Sequence, residues 1–149
     1  MESTIISVNI SAKKGVRKKP VPSARVIGGV GIDGDAHASS DWHRQVSLLA
    51  IESINKMKAK GLDVDCGDFA ENLTTVGIIL TDLPIGAKLM IGAVEAEVTQ
   101  IGKECHSRCA IYYQAGDCVM PNEGIFIKVL SSGVFTPGDI IKVLKTSEK

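Results

Sequence analysis

The chain has 149 residues, enough for one domain with a sizeable buried core. Its 17 basic residues balance its 17 acidic ones, so no overall field recruits nucleic acid or an anionic membrane. Aromatic residues make up only 4%, which argues against a base-stacking surface for single strands.

The chain opens with "MESTIISVNISAKK", which lacks the basic start and long apolar block of a secretory signal. No apolar run approaches the roughly 20 residues of a bilayer span. A cytoplasmic location with reduced thiols is therefore expected, and that weakens any reading of the four cysteines as disulfide staples. "TIISVNIS" is rich in β-branched residues and reads as a strand. "KKGVRKK" then packs five cations into seven positions, as a solvated loop or an anion-binding edge. "GIDGDAH" has phosphate-loop glycines, but its spacing matches neither common nucleotide fingerprint, and no βαβ unit surrounds it. It reads as a turn. Asp33 and Asp35 alone offer too few oxygens for a divalent cation.

"RQVSLLA" predicts a strand with Val46 and Leu48 on one face and Ser47 and Leu49 on the other. In "AIESINKMKAKG" Ile51, Ile54 and Met57 recur at helical spacing, and Gly61 is placed to end the helix in a left-handed conformation. "AKLMIG" and "AVEAEVTQI" predict two strands meeting across Gly92. In the second, Val94, Ala96 and Val98 alternate with Glu95, Glu97 and Thr99, as in a strand wet on one side. "SRCAIYYQA" carries a weaker helical pattern, while "GIFIKVL" and "GDIIKVL" predict strands. "DLPIGAKLMIG" and "VFTPGDIIKVL" each set Pro and Gly before an apolar run, a turn feeding a strand. Many short strands, Gly-rich turns and few helices predict a mainly β chain: a single-domain closed or nearly closed β-barrel with one or two short helices.

The chemistry concentrates in "GKECHSRCAIYYQAGDC", residues Gly102 to Cys118. Cys105 and Cys109 are spaced like half a zinc knuckle, but the usual second pair is missing, so no structural zinc is expected. Cys66 and Cys118 read as small buried hydrophobes. Cys105 differs in its neighbours, because Lys103, His106 and Arg108 all favour a thiolate, the nucleophilic form. Cys109 lies one turn further if the segment is helical, near enough to consider as a second thiol in exchange.

The succession "KKPV", "GIDGDAHA", "RQVSLLA", "FAENLTTVGIIL", "LPIGAKLMIGAVEAEVTQ" and "GKECHSRC" resembles the MOSC domain, the module named after the C-terminal part of molybdenum cofactor sulfurases. The likeness runs from about Lys18 to Val143 and is closest to short, stand-alone members without a fused pyridoxal-phosphate desulfurase. It implies a β-barrel, sulfur handling as a cysteine persulfide, binding of the molybdenum cofactor (a phosphorylated pterin), and Cys105 as the functional cysteine. Glu104 replaces the proline that many members carry before it, and "HSRC" follows it.

The resulting expectation is a sulfur carrier. Cys105 takes sulfur from a separate cysteine desulfurase and delivers it to a molybdenum or tungsten enzyme or its cofactor. Lys103, His106 and Arg108 stabilise its charge, and Cys109 resolves the persulfide with release of sulfide. Lys18, Arg25 and Arg44 are the candidates for the cofactor phosphate, Arg being able to grip an oxyanion bidentately. His37 in "GDAH" and Asn72 in "ENLT" complete the expected cofactor-binding set, and for each a purely structural role stands beside the functional one. No nucleic-acid or membrane partner is expected. Two other readings remain open: a molybdenum-dependent reductase of N-hydroxylated compounds with Cys105 as the metal ligand, and a non-catalytic pterin-binding module.

Overall fold

The computed structural model describes residues 3–13, 17–36, 38–40, 45–61, 63–69, 71–102 and 123–145. Eleven strands appear among them. They are β1 (Thr4–Ile10), β2 (Lys19–Val21), β3 (Ala24–Ile27), β4 (Gly31–Ile32), β5 (Val46–Ala50), β6 (Leu73–Val76), β7 (Lys88–Ile91), β8 (Val94–Ile101), β9 (Ile125–Val129), β10 (Gly133–Phe135) and β11 (Ile141–Lys145). One α-helix, α1 (Ile51–Ala59), follows β5, and a 3₁₀ turn spans Leu80–Asp82.

Eight strands form one sheet in the order β11-β7-β8-β9-β5-β6-β1-β2, and β10-β3-β4 form a second. The mainly β expectation holds, but the barrel does not close: the large sheet is curled and open. The reason lies at the free edge of β1. Its C-terminal half is taken by β2, through Val8–Val21, Asn9–Pro20 and Ile10–Lys19. Only the N-terminal half is left for the far end of the sheet, where the Thr4–Ile140 bridge and backbone hydrogen bonds from Ile5 to Asp139, Gly138 to Ile5 and Ile141 to Ser3 join the edges without a continuous ladder. Pro20 and Pro22 lack backbone N–H groups, so the β2 segment is a poor template for further pairing.

The alternation in β8 is realised directly: Val94, Ala96 and Val98 are buried, while Glu95, Glu97 and Thr99 are partly exposed. The hairpin partner β7 meets it in register from Lys88–Glu97 to Ile91–Val94. The two look-alike Pro-Gly segments feed β7 and β11, which pair antiparallel with each other. In β5 the alternating faces serve two different cores. Val46 and Leu48 point into the main core with Leu73, Val98, Ile125 and Ile127. Leu49 points the other way, to Ile54 and Met57 of α1, Phe69 and Phe126. Gly61, at φ 92°, ends the helix and donates its N–H to the Lys58 carbonyl at 2.9 Å. "SRCAIYYQA" lies outside the described residues.

Candidate functional site

On one side of the open sheet, β1, β5 and β6 are stitched together by polar side chains with no solvent access. Asn72 sits at the start of β6. Its Oδ1 accepts the Ser47 N–H at 3.0 Å, and its Nδ2 donates to the Asn9 carbonyl at 3.1 Å. Its own N–H donates to the Ser47 carbonyl, and Asn9 N–H donates to the Asn72 carbonyl at 2.7 Å. Such mutual satisfaction is what a fully buried amide requires. The Asn9 amide continues the seam, donating to the Glu71 carbonyl and to Thr74 Oγ1, both at 3.1 Å.

Glu71 next door is wholly buried. Its carboxyl accepts the Gly67 N–H at 2.8 Å, the Thr74 hydroxyl at 2.6 Å and the Phe69 N–H at 3.2 Å. Burial pushes this carboxyl up from its ordinary value to about 7, against the opposing pull of Thr74 and the backbone N–H groups. Gly67 holds the loop against the segment entering β2: the Lys18 N–H donates to the Gly67 carbonyl at 2.8 Å. A Cβ on Gly67 would lie 2.2 Å from the Lys18 carbonyl oxygen, and its φ is +87°. Only glycine fits.

Lys18 departs from the exposed cation of a basic run. Its side chain is 1% exposed, and its ammonium pairs at 2.9 Å with Asp35, whose side chain is 0% exposed. It also donates to Ser11 Oγ at 3.1 Å, while the Ser11 N–H donates to the same Asp35 oxygen. In this arrangement Lys18 neutralises a buried carboxylate in place of an outside anion. Arg25, on β3, is exposed and makes no ion pair among the described residues. Cys105, His106, Arg108, Cys109, Lys103, His37 and Arg44 lie outside the described residues, as does Cys118. Cys66, expected as a buried hydrophobe, is only half-buried, and burial raises its thiol above the ordinary value.

The cysteine-rich stretch leaves and rejoins the sheet at a fixed root. β8 and β9 pair as far as Ile101–Ile125, across a bulge between Val98 and Gln100, and beyond them the Gly102 N–H donates to the Gly124 carbonyl at 2.7 Å. The adjoining Glu123 accepts the Ser53 hydroxyl of α1 and pairs with Lys56 at 2.8 Å. Beside it opens a groove of about 490 Å³ floored by Ala50 and Leu80 and flanked by Ile79.

The MOSC domain family model matches residues 33–142. The chain belongs to that family. Several solved structures share its fold. The YuaD protein of Bacillus subtilis superposes with a TM-score of 0.76 at 18% identity, covering 95% of this chain and 94% of that one. YiiM of Geobacillus stearothermophilus gives 0.70 at 20%, covering 96% and 75%. YiiM of Escherichia coli gives 0.71 at 15%, covering 100% and 72%. No curated protein matches the chain.

The MOSC match begins at Asp33, so Lys18 and Arg25 precede it while Lys18's partner Asp35 falls inside. MOSC domains are associated with the molybdenum cofactor. The described residues of this chain do not form a cradle for it. Lys18 and Asn72 are buried and satisfied internally, Arg25 stands alone, and no cluster of potential metal ligands occurs among the described residues. Asn72 stands out in the sequence through "ENLT", whereas its neighbour Glu71 and its partners Asn9 and Ser47 do not. A signal existed for Gly67, a glycine between two aspartates in "DCGD", but nothing in one strand's pattern announces a partner some 60 residues away.

Proposed function

We propose that this MOSC domain is a sulfur carrier in which Cys105 accepts sulfur as a persulfide and hands it to a metal–sulfur centre on another protein. The observation that supports the reading is the root of the cysteine-bearing stretch. Both ends are anchored on the sheet, by the β8–β9 register and the Gly102–Gly124 hydrogen bond, and the second end is tied to α1 through Glu123. A rigid scaffold carrying a chemically active connection is the usual division of labour in such folds.

The transfer is an exchange at sulfur. The Cys105 thiolate attacks the terminal sulfur of a donor persulfide, the S–S bond of the donor breaks, and the donor leaves as a thiolate. A new S–S bond now carries the sulfur on Cys105, with no net oxidation. Lys103, His106 and Arg108 lower the cost of the thiolate at neutral pH. The donor is a separate cysteine desulfurase. In the second transfer the Cys109 thiolate attacks the Cys105 sulfur, a Cys105–Cys109 disulfide forms, and the outer sulfur leaves as sulfide for the metal–sulfur centre, the two thiols supplying the two electrons. No step passes through a cofactor held by this chain.

The test is mass spectrometry of protein incubated anaerobically with a cysteine desulfurase and free cysteine. Wild type is expected to gain one sulfur atom, mapped to the Cys105 peptide, and Cys105→Ser to gain none there. Equal gain by Cys105→Ser removes the carrier role. Stoichiometric molybdenum in the purified protein, with reduction of N-hydroxylated compounds lost in Cys105→Ser, would assign the reductase chemistry in its place.

A further inference from the structure

The strand that leads to the cysteine-bearing stretch breaks its own alternation just before it ends. Val94, Ala96 and Val98 of β8 all lie in the main core, and two residues further Gln100 would fall on the same apolar face. A bulge between Val98 and Gln100 prevents this. Val98 stands opposite Ile127, and Gln100 stands opposite Phe126, where an unbroken ladder would put Thr99. Phe126 belongs to the smaller core beside α1, whereas Ile125 and Ile127 belong to the main one. Opposed residues share a face, so the extra residue carries the Gln100 amide to the other side of the sheet. The Thr99 hydroxyl secures the bulge by donating to the Phe126 carbonyl at 3.3 Å.

From there the amide reaches forward along its own chain. Its Nε2 donates to the Gly102 carbonyl at 2.9 Å. Gly102 is buried, and its N–H is already given to the Gly124 carbonyl at 2.7 Å. Both peptide units of Gly102 are thus held, one across the root and one by this side chain. The second is planar and joins Gly102 to Lys103, so fixing its carbonyl fixes the direction in which the chain leaves the sheet. Cys105 follows three residues later, at most about 11 Å from Gly102 along the chain.

We propose that Gln100 is a positioning residue for sulfur transfer at Cys105. By holding the Gly102–Lys103 peptide it sets the angle at which the reactive stretch departs, and so the side from which a docked donor meets the thiolate. This role rests on the persulfide reading above and acts through the backbone. It carries a specific asymmetry. A small persulfide diffuses to the thiolate from any open side, whereas a protein donor presents its sulfur from one direction. Loss of the clasp slows the second transfer and spares the first.

The test compares sulfur uptake at Cys105 from two donors under anaerobic conditions, followed by mass spectrometry: glutathione persulfide, and a cysteine desulfurase supplied with free cysteine. In Gln100→Leu the rate at saturating desulfurase should fall on the order of tenfold, while the rate with glutathione persulfide stays within about twofold of wild type. The pH profile of Cys105 alkylation by iodoacetamide should not move. Gln100→Lys, which returns an N–H donor to the same place, should recover most of the desulfurase rate. Should Gln100→Leu fail to fold, Gln100→Met, which keeps the length and has no donor, should show the same split. Full desulfurase rate without the amide, an equal loss with both donors, a shifted alkylation profile or no recovery in Gln100→Lys overturns the positioning role. Wild-type protein that takes no sulfur at Cys105 from either donor removes the carrier reading and this role together. Wild type and Gln100→Leu loading equally fast removes this role alone.

Discussion

Replacing Lys18 by methionine keeps the side chain's length and takes the ammonium away from Asp35. The two groups are 2.9 Å apart with 1% and 0% of their side chains exposed, so neither water nor salt screens them. Breaking a buried pair from one side typically costs about 3–5 kcal/mol, because the remaining charge stays desolvated. For a domain of this size that corresponds to a fall in melting temperature of roughly 10 °C. Lys58→Met is the internal control. Its 3.8 Å pair with Asp65 is widely exposed, and exposed pairs contribute about 0–1 kcal/mol. The double variant Lys18→Met/Asp35→Leu removes both charges and should recover most of the loss. Urea unfolding of these three variants, of Asp35→Leu alone and of wild type measures all of these terms. A Lys18→Met cost no larger than that of Lys58→Met, or a double variant as unstable as the sum of its parts, refutes a dry, neutralising pair. Phosphate that raises wild-type stability but not that of Lys18→Met would restore the anion-binding role expected from the basic run.

Gly67→Ala forces a Cβ to within 2.2 Å of the Lys18 carbonyl oxygen at a φ of +87°, and should cost roughly 2–5 kcal/mol in urea unfolding. Thr75 carries a buried hydroxyl with no hydrogen-bond partner among the described residues. Thr75→Val should therefore stabilise by about 1 kcal/mol, and a loss of that size would mean the hydroxyl has a partner in solution. Ile54→Ala empties a fully buried site between α1 and the sheet and should cost about 2–5 kcal/mol. Its effect on α1 is readable as lost exchange protection across Ile51–Ala59.

Periodicity proved most reliable where one element decides its own fate. The strict alternation of β8, the helical spacing of Ile51, Ile54 and Met57, and the turn glycine at Gly61 are consequences of local geometry, and each appears where the pattern placed it. The short strands β2, β3, β4, β6 and β10 have no such pattern in the sequence. With two to four residues each, they carry too few positions for a period to emerge, and their pairing depends on partners far along the chain. The Pro-rich composition of β2 points away from a strand, yet it occupies an edge, where a missing N–H matters least.

What the amino-acid order determined alone is the β-rich class, the faces of its longer strands and the clustering of thiols with cations between Gly102 and Cys118. Tertiary structure decided whether the sheet closes, because β2 and Ile140 divide the edge of β1, and that division depends on three separate pieces of chain meeting. It also decided the roles of Lys18, Asn72 and Glu71. A charge or an amide in a sequence has no dielectric of its own; only packing removes the water and selects the partner, turning one lysine into a brace and one glutamate into a carboxyl that titrates near neutrality.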